Sequence, residues 1–504
     1  MTRCVLSRHS IYVAIYVLII LSCGKFSGTA PAVFEWREAA PETQGVSSAA
    51  LADAVTFARE HLALHSLLIV RHGRIVLDAT FYPFTPGARH DFASVTKSVT
   101  SLLVGAAEHA GRLRRTDRLD SLLAPESPVS DRRHGAVTVA DLLGMQSGLD
   151  CGFREGEPEL AAMTRSRNWI RAALELPMAA APGARTAYCS VNYHLLSAII
   201  SRTTGESELA FARRRLFRPL GIDDVYWPAD PQGLTHGWGD LQLTSRDAAR
   251  IGLLMLHHGR WDGHAVVSRG WAAWTTAPHG MLGPDDVYGR GWWTHPHAPP
   301  GLFEAVGRGG QRITVWPAKD LVIVETAGGA DPGALAPFLL RAVASDTVLT
   351  PDSAALARLH TAIAQALAPP PAYRVSVPPF ARRVWGRRYR MSPNAIAMHM
   401  FSMSFDSASG TARATLDLLG HRLTLPVGLD GRYRFSPDSV EAVHPAARGS
   451  WTSPGTFVLD LNLMGKINRY AMSFQFSQDG ARVAVHVAEA TGTVTADARG
   501  TRLP

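Results

Sequence analysis

Two strand pairs lying far apart in the chain constrain its fold most tightly. Residues 66–80, Ser-Leu-Leu-Ile-Val-Arg-His-Gly-Arg-Ile-Val-Leu-Asp-Ala-Thr, read as two apolar strands joined at His72-Gly73. Residues 311–316 (Gln-Arg-Ile-Thr-Val-Trp) and 320–326 (Asp-Leu-Val-Ile-Val-Glu-Thr) form a second pair, and 289–294 (Gly-Arg-Gly-Trp-Trp-Thr) reads as a fifth strand. The chain between them is mostly helix-like. Residues 192–203 carry Leu195, Leu196, Ile199 and Ile200 at helical spacing before Gly205, and 245–258 open on a serine cap. The economical arrangement is one antiparallel five-stranded sheet built from both ends of this region. A helical insertion, about residues 110–245, then stacks beside it, an α/β (α+β) architecture with a site expected in the cleft between sheet and helices.

Within that frame, Ser94-Val-Thr-Lys97 places a hydroxyl and an amine one helical turn apart. The run after it repeats apolar residues at Val95, Val99, Leu102, Leu103, Ala106 and Ala107 and meets a natural stop at Gly111. Residues i and i+3 share a helix face, so the two side chains can meet. A serine in the first turn also gains from the positive end of the helix dipole when negative charge develops on it. Lysine occurs only at positions 25, 97, 319 and 466 in a chain otherwise rich in arginine, which sets Ser94-x-x-Lys97 apart from a chance match.

At 504 residues the chain exceeds a single core. The divisions expected are 1–30 as an export signal, 31–348 as the main domain, 349–372 as a helical, proline-containing linker, and 373–504 as a second domain. In the last of these, strand-sized runs such as 412–419, 456–463 and 482–487 alternate, with Asp430-Gly431 and Asp479-Gly480 as turns. This is an all-β appendage large enough for its own core, and it shows no catalytic constellation. The net charge of +8 comes from arginine. Its densest stretches, Arg213-Arg214-Arg215 and residues 381–390 with Trp385 and Tyr389, read as solvated faces rather than a nucleic-acid stripe.

Arg3 and Arg8 precede an apolar run from Ile11 to Leu21, too short to span a bilayer and typical of an export signal. Ile20-Leu-Ser-Cys23 resembles a lipobox, with Cys23 as the lipid-bearing residue; cleavage after Ala30 is the competing reading. Either way a periplasmic or outer-membrane location is expected, and nucleic-acid partners are not. Cys151 and Cys189 remain in the exported chain, either bridged or simply buried. No metal-ligand spacing appears, and His295-Pro-His297 alone is a loop feature.

Three stretches in order then resemble the serine β-lactamase and penicillin-binding protein superfamily. The branch is the one containing class C β-lactamases, family VIII carboxylesterases and 6-aminohexanoate-dimer hydrolases. They are Phe92-Ala-Ser94-Val-Thr-Lys97, Tyr188-Cys-Ser190-Val-Asn192 and Gly307-Arg308-Gly309-Gly310-Gln311. The resemblance spans roughly residues 40–345 and implies a serine hydrolase that needs no cofactor or metal. It implies Ser94 as the nucleophile, Lys97 as a neutral base or a cation acting on Tyr188, and Tyr188 as the phenolate base. The oxyanion hole would be the N–H groups of Ser94 and Gln311, with Gly310 allowing close approach of the strand. Arg308, Gly309, Gly310, Ser190 and Asn192 would face substrate, Arg308 steering a carboxylate.

Two departures matter. The tyrosine element reads Tyr188-Cys189-Ser190 with Asn192 displaced, so Ser190-Val-Asn192 competes as a Ser-x-Asn element. A family lysine is also replaced by Arg308. The second departure favours esters and linear amides over β-lactams. A D-alanyl carboxypeptidase, a D-aminopeptidase, a β-lactamase and a catalytically idle ligand sensor are the alternatives.

Overall fold

Helix α1 (Ser48–His61) opens the main domain, with the Ser47 hydroxyl accepting from Ala50 N–H as its cap. The chain then forms β1 (Leu64–Arg71) and β2 (Arg74–Thr80), whose turn at His72-Gly73 has positive φ at both residues. Every residue of β1 is buried, as expected of a strand covered on both faces. Helix α2 (Val95–His109) follows, and α3 (Ser190–Thr204) ends on Gly205 in the left-handed region. Helix α4 (Ser245–Leu256) then leads to β3 (Phe303–Gly307), β4 (Gln311–Trp316) and β5 (Leu321–Ala327).

This computed structural model describes residues 34–123, 132–152, 157–406, 409–418, 421–437, 439, 443–492 and 495–504. The leader, with Cys23 and Ala30, lies outside the described residues. A short N-terminal unit ends at Trp36, and Arg37–Pro504 form the other unit.

The five long strands lie in the order β2-β1-β5-β4-β3 with every neighbour antiparallel. The two distant pairs therefore join through β1 and β5, as the sequence predicts. The fifth strand differs from expectation. Phe303–Gly307, not 289–294, pairs with β4, and only Trp293–Thr294 of the expected run is strand, one place further out. The run Phe303–Gly307 is short and carries Glu304, so its strand character is weaker in sequence than that of its apolar neighbours.

Alternate residues of β5 serve opposite faces. Leu321 and Ile323 join the cluster that includes Leu51 and Val55 of α1 and Leu359 and Ala362 of α5 (Ser353–Leu367). On the other face, Gly252 of α4 sits so close to Val322 and Ile313 that an added methyl would be 2.5 Å from the valine. A glycine there lets the helix lie directly on the sheet.

Strands β6 (Arg388–Met391), β7 (Met398–Asp406), β8 (Thr411–Leu418), β9 (His421–Gly428), β10 (His444–Ser453), β11 (Thr456–Met464), β12 (Arg469–Phe476), β13 (Arg482–Glu489) and β14 (Thr495–Arg502) form the C-terminal part. Each pairs with the next, β14 returns to β6, and Val427↔Ala447 closes β9 onto β10. The sheet is a closed barrel, a solution that leaves no long free edge. Its core packs Tyr389, Phe401, Phe405, Phe457 and Phe474 with Leu416, Leu459 and Val485. Tyr389, read from sequence as part of a solvated basic stretch, is buried and stacks on Phe401.

Candidate active site

Ser94 stands at the N-terminal boundary of α2, preceded by Ala93 with φ 46°. A non-glycine residue in the left-handed region is costly and persists where neighbours hold it. Here the Asp91 carboxylate does so, accepting the Ala93 N–H at 2.8 Å. Ser94 is partly exposed, whereas Lys97, one turn on, is almost wholly buried. Lys97 Nζ donates to Ser94 Oγ at 2.8 Å and to the Trp238 carbonyl at 2.9 Å. It also lies 5.0 Å from the centre of the Tyr188 ring. The structure thus brings Ser94, Lys97 and Tyr188 together from α2 and the approach to α3.

Tyr188 is fixed from several sides. Its ring stacks on Trp293 at 5.7 Å and meets Tyr288 edge-on at 5.9 Å. Ala187 N–H bonds to the Met145 carbonyl, and Cys189 is joined to Cys151 by a disulfide. That bridge pins the residue next to Tyr188 to a loop 38 positions earlier.

Several expected site residues have other partners. Ser190 Oγ donates to Glu157 at 2.6 Å and is buried. Asn192 is wholly enclosed, with Nδ2 3.9 Å from the Met145 sulfur and Oδ1 buried without a partner. Ser190 is thus engaged by Glu157, and Asn192 keeps one unpartnered oxygen inside the fold. Arg308 is held by Glu489 at 3.3 Å and Thr491 at 3.0 Å in the barrel, rather than standing free for a substrate carboxylate. Gly309 is covered by Ile467, and its carbonyl accepts the Gly329 N–H.

Gln311 also needs correction. It pairs with Gly307 on β3, and Arg312 beside it pairs with Glu325 on β5, so β4 is an interior strand. Gln311 is fully buried, and its amide spans Ala327 O at 2.6 Å and Ala327 N at 3.1 Å. β3 is paired on its outer side only where Trp293 meets Glu304, so among the described residues its Gly307 end has no ladder partner on that side. The strand that reaches Ser94 is β3. A methyl added at Gly307 would sit 2.5 Å from Phe92 O and 3.1 Å from the Ala93 side chain. Gly307 is thus the close-approach glycine expected at Gly310, which instead shapes the turn with φ 95°.

Sequence reasoning missed Trp238, which acts through its backbone carbonyl, and Asp91 and Asp240, whose carboxylates hold loops distant in sequence from one another. Asp240 accepts from His236 at 2.9 Å in the loop that presents the Trp238 carbonyl to Lys97. Burial pushes the Asp91 carboxyl above the usual range. Asp240 is held low despite burial by His236, Lys466 and Lys97. Among the described residues, no group of three or more His, Cys, Asp or Glu is placed to hold a metal ion.

A buried lysine touching a serine at a helix start, beside a tyrosine and the Gly307 end of β3, defines the class: a serine hydrolase of the β-lactamase/transpeptidase fold. The β-lactamase family's sequence profile matches residues 52–348, more than half the chain, and the chain belongs to that family. It is 27% identical over 296 residues to the 6-aminohexanoate-dimer hydrolase of Paenarthrobacter ureafaciens, covering 54% of this chain and 74% of that protein. A solved structure from Bacillus anthracis, provisionally assigned as a 6-aminohexanoate-dimer hydrolase, superposes with TM-score 0.51 at 19% identity, covering 66% of this chain and 86% of that one. A β-lactamase-like structure from Bacteroides dorei gives TM-score 0.50 at 14% identity, over 60% of this chain and all of that one. Both likenesses speak to the fold.

Proposed function

We propose that this protein is an exported serine hydrolase that cleaves an ester or linear amide through an acyl-enzyme on Ser94. The observation that carries the reading is the placement of Lys97 Nζ 2.8 Å from Ser94 Oγ and 5.0 Å from the centre of the Tyr188 ring. Tyr188, beside Lys97, serves as the base that takes the Ser94 proton, the role the family resemblance implies. Ser94 Oγ then bonds to the substrate carbonyl carbon. The oxyanion is met by the Ser94 N–H and an N–H at the Gly307–Arg308 end of β3. Losing one such donor typically raises the barrier by about 3 kcal/mol. Collapse expels the alcohol or amine, which leaves with the proton held by Tyr188. Water, deprotonated by the same group, then releases the acid and restores Ser94.

The Paenarthrobacter relative acts, by its name, on a 6-aminohexanoate dimer, which favours linear amides here. The engagement of Arg308 by Glu489 and Thr491 leaves it poorly placed for a substrate carboxylate and counts against a carboxypeptidase reading. Export is supported by the basic and apolar leader and by the Cys151–Cys189 bridge, a bond that persists in oxidising compartments. Lipid attachment at Cys23 is the anchoring route we favour. The test is turnover of activated esters, linear amide dimers and a chromogenic β-lactam by the wild type and Ser94→Ala. Ester and amide turnover lost in the variant is expected; binding without turnover by folded wild type would replace the reading with a sensor.

A further inference from the structure

We propose that Lys466, on a hairpin of the C-terminal barrel, is a positioning residue for the acyl-transfer site, so that the barrel completes that site. The inference rests on the Ser94 reading above and assigns the barrel a function within it. The hairpin between β11 and β12 carries Gly465-Lys466-Ile467 against the two loops that set Ser94 and Lys97. Lys466 Nζ lies 2.9 Å from Asp91 Oδ2 and 3.8 Å from Asp240 Oδ1. Each carboxylate does a second task with its other oxygen. Asp91 Oδ1 accepts the N–H of Ala93, the strained residue before the nucleophile. Asp240 Oδ2 is bonded by His236, in the loop whose Trp238 carbonyl receives the Lys97 ammonium.

One cation from the barrel therefore ties together the two supports of the nucleophile and its activator. The contacts on either side of it reinforce the tie. Asp91 N–H donates to the Gly465 carbonyl at 2.8 Å, and Ile467, buried, packs on Gly309 in the turn beyond β3. The partners suit a permanent charge. Although burial pulls it down, Asp91 and Asp240 hold the Lys466 ammonium above its ordinary range. Lys466 bridges Asp91, which is buried, and Asp240, which is partly exposed, so removing it leaves the two carboxylates without the cation between them. Their repulsion would shift both loops, and a shift of about 1 Å at a reacting group costs on the order of a hundredfold in rate.

The test uses the full chain. Phosphonylation of Ser94 by a fluorophosphonate, kcat and KM on an activated ester, and melting temperature are measured for wild type, Lys466→Met and Lys466→Arg. Lys466→Met is expected to lose at least tenfold in kcat and in phosphonylation rate while KM changes less than twofold. Lys466→Arg, which keeps the charge, is expected to recover to within about threefold of wild type. A folded Lys466→Met with wild-type kcat would overturn the proposal, as would equal losses in both variants. Should Lys466→Met fail to fold, Asp240→Asn carries the same test. It is expected to lower kcat with KM held, and an unchanged kcat would overturn the role. Absence of a Ser94 adduct on the wild type would instead remove the underlying hydrolase reading, so the two failures are distinguishable.

Discussion

Lys97 Nζ sits 5.0 Å from the ring centre of Tyr188 while donating at 2.8 Å to Ser94 Oγ. One ammonium thus faces both the group to be deprotonated and the group expected to take the proton. Substituting Lys97 by Arg keeps a positive charge but places it on a broader fork that does not readily exchange protons. The expected result is a fall in kcat/KM on an activated ester of roughly a hundredfold or more, the range for loss of general base assistance. Near-normal turnover would detach Lys97 from the chemistry.

Tyr188→Phe separates packing from proton transfer. The ring's contacts with Trp293 and Tyr288 survive, so the melting temperature should change little. The rate should fall by about a hundredfold or more, and both quantities can be read on the same preparation.

Gly307 has no room for a side chain. Gly307→Ala drives a methyl toward Phe92 O and the Ala93 side chain, so it should displace the turn that holds Ser94. We expect a stability loss of about 1–3 kcal/mol by denaturant melting, typical of overpacking, with a larger fractional loss of activity. An alanine exchange at Gly270, which has no positive φ and whose nearest neighbour is Ser268 Oγ at 3.9 Å, should leave activity near wild type and marks the local effect.

Much of this site was legible because its key pair is local. Ser94 and Lys97 lie one turn apart, so helical periodicity alone joins them, and the two apolar strand pairs had few ways to combine. Non-local pairing was harder to read. Gln311 and Gly307 occupy one glycine-rich motif, and only the folded strands reveal that it is Gly307 that packs against the Phe92–Ala93 backbone before Ser94. Arg308 read as substrate-facing because its partners, Glu489 and Thr491, lie in the barrel. Lys466 and Asp91 are 375 positions apart, a contact that local spacing cannot encode. The scarcity of lysine was a usable signal, since two of the four lysines lie at one site.

Reducing the Cys151–Cys189 bridge should act on stability and rate together. Closing a loop of this size typically contributes about 2–4 kcal/mol. Because Cys189 adjoins Tyr188, kcat should fall under mild reductant before global unfolding, as monitored by circular dichroism beside activity. Loss of both signals in step would show that the bridge serves stability alone.

Two buried carboxyls give stability a defined pH dependence. Burial pushes Glu208, beside Ser197 and Thr100, and Glu325 each up to about 8. Both are protonated in the folded protein at neutral pH and ionised once it unfolds. Their stabilising contribution is full below the ordinary glutamate range and is lost as pH rises through about 8. Between those limits each group alone would lower stability by about 1.4 kcal/mol per pH unit. Glu208→Gln should therefore flatten the melting profile from pH 5 to about pH 8 and raise the melting temperature most at the alkaline end. An unchanged slope would mean that Glu208 does not titrate this way.

The most direct measurement is the intact mass of the full chain after treatment with a fluorophosphonate, beside Ser94→Ala. The account expects one covalent adduct on the wild type, mapped to Ser94, and none on the variant. No adduct on folded wild type, or an adduct that persists in Ser94→Ala, would contradict Ser94 as the activated nucleophile.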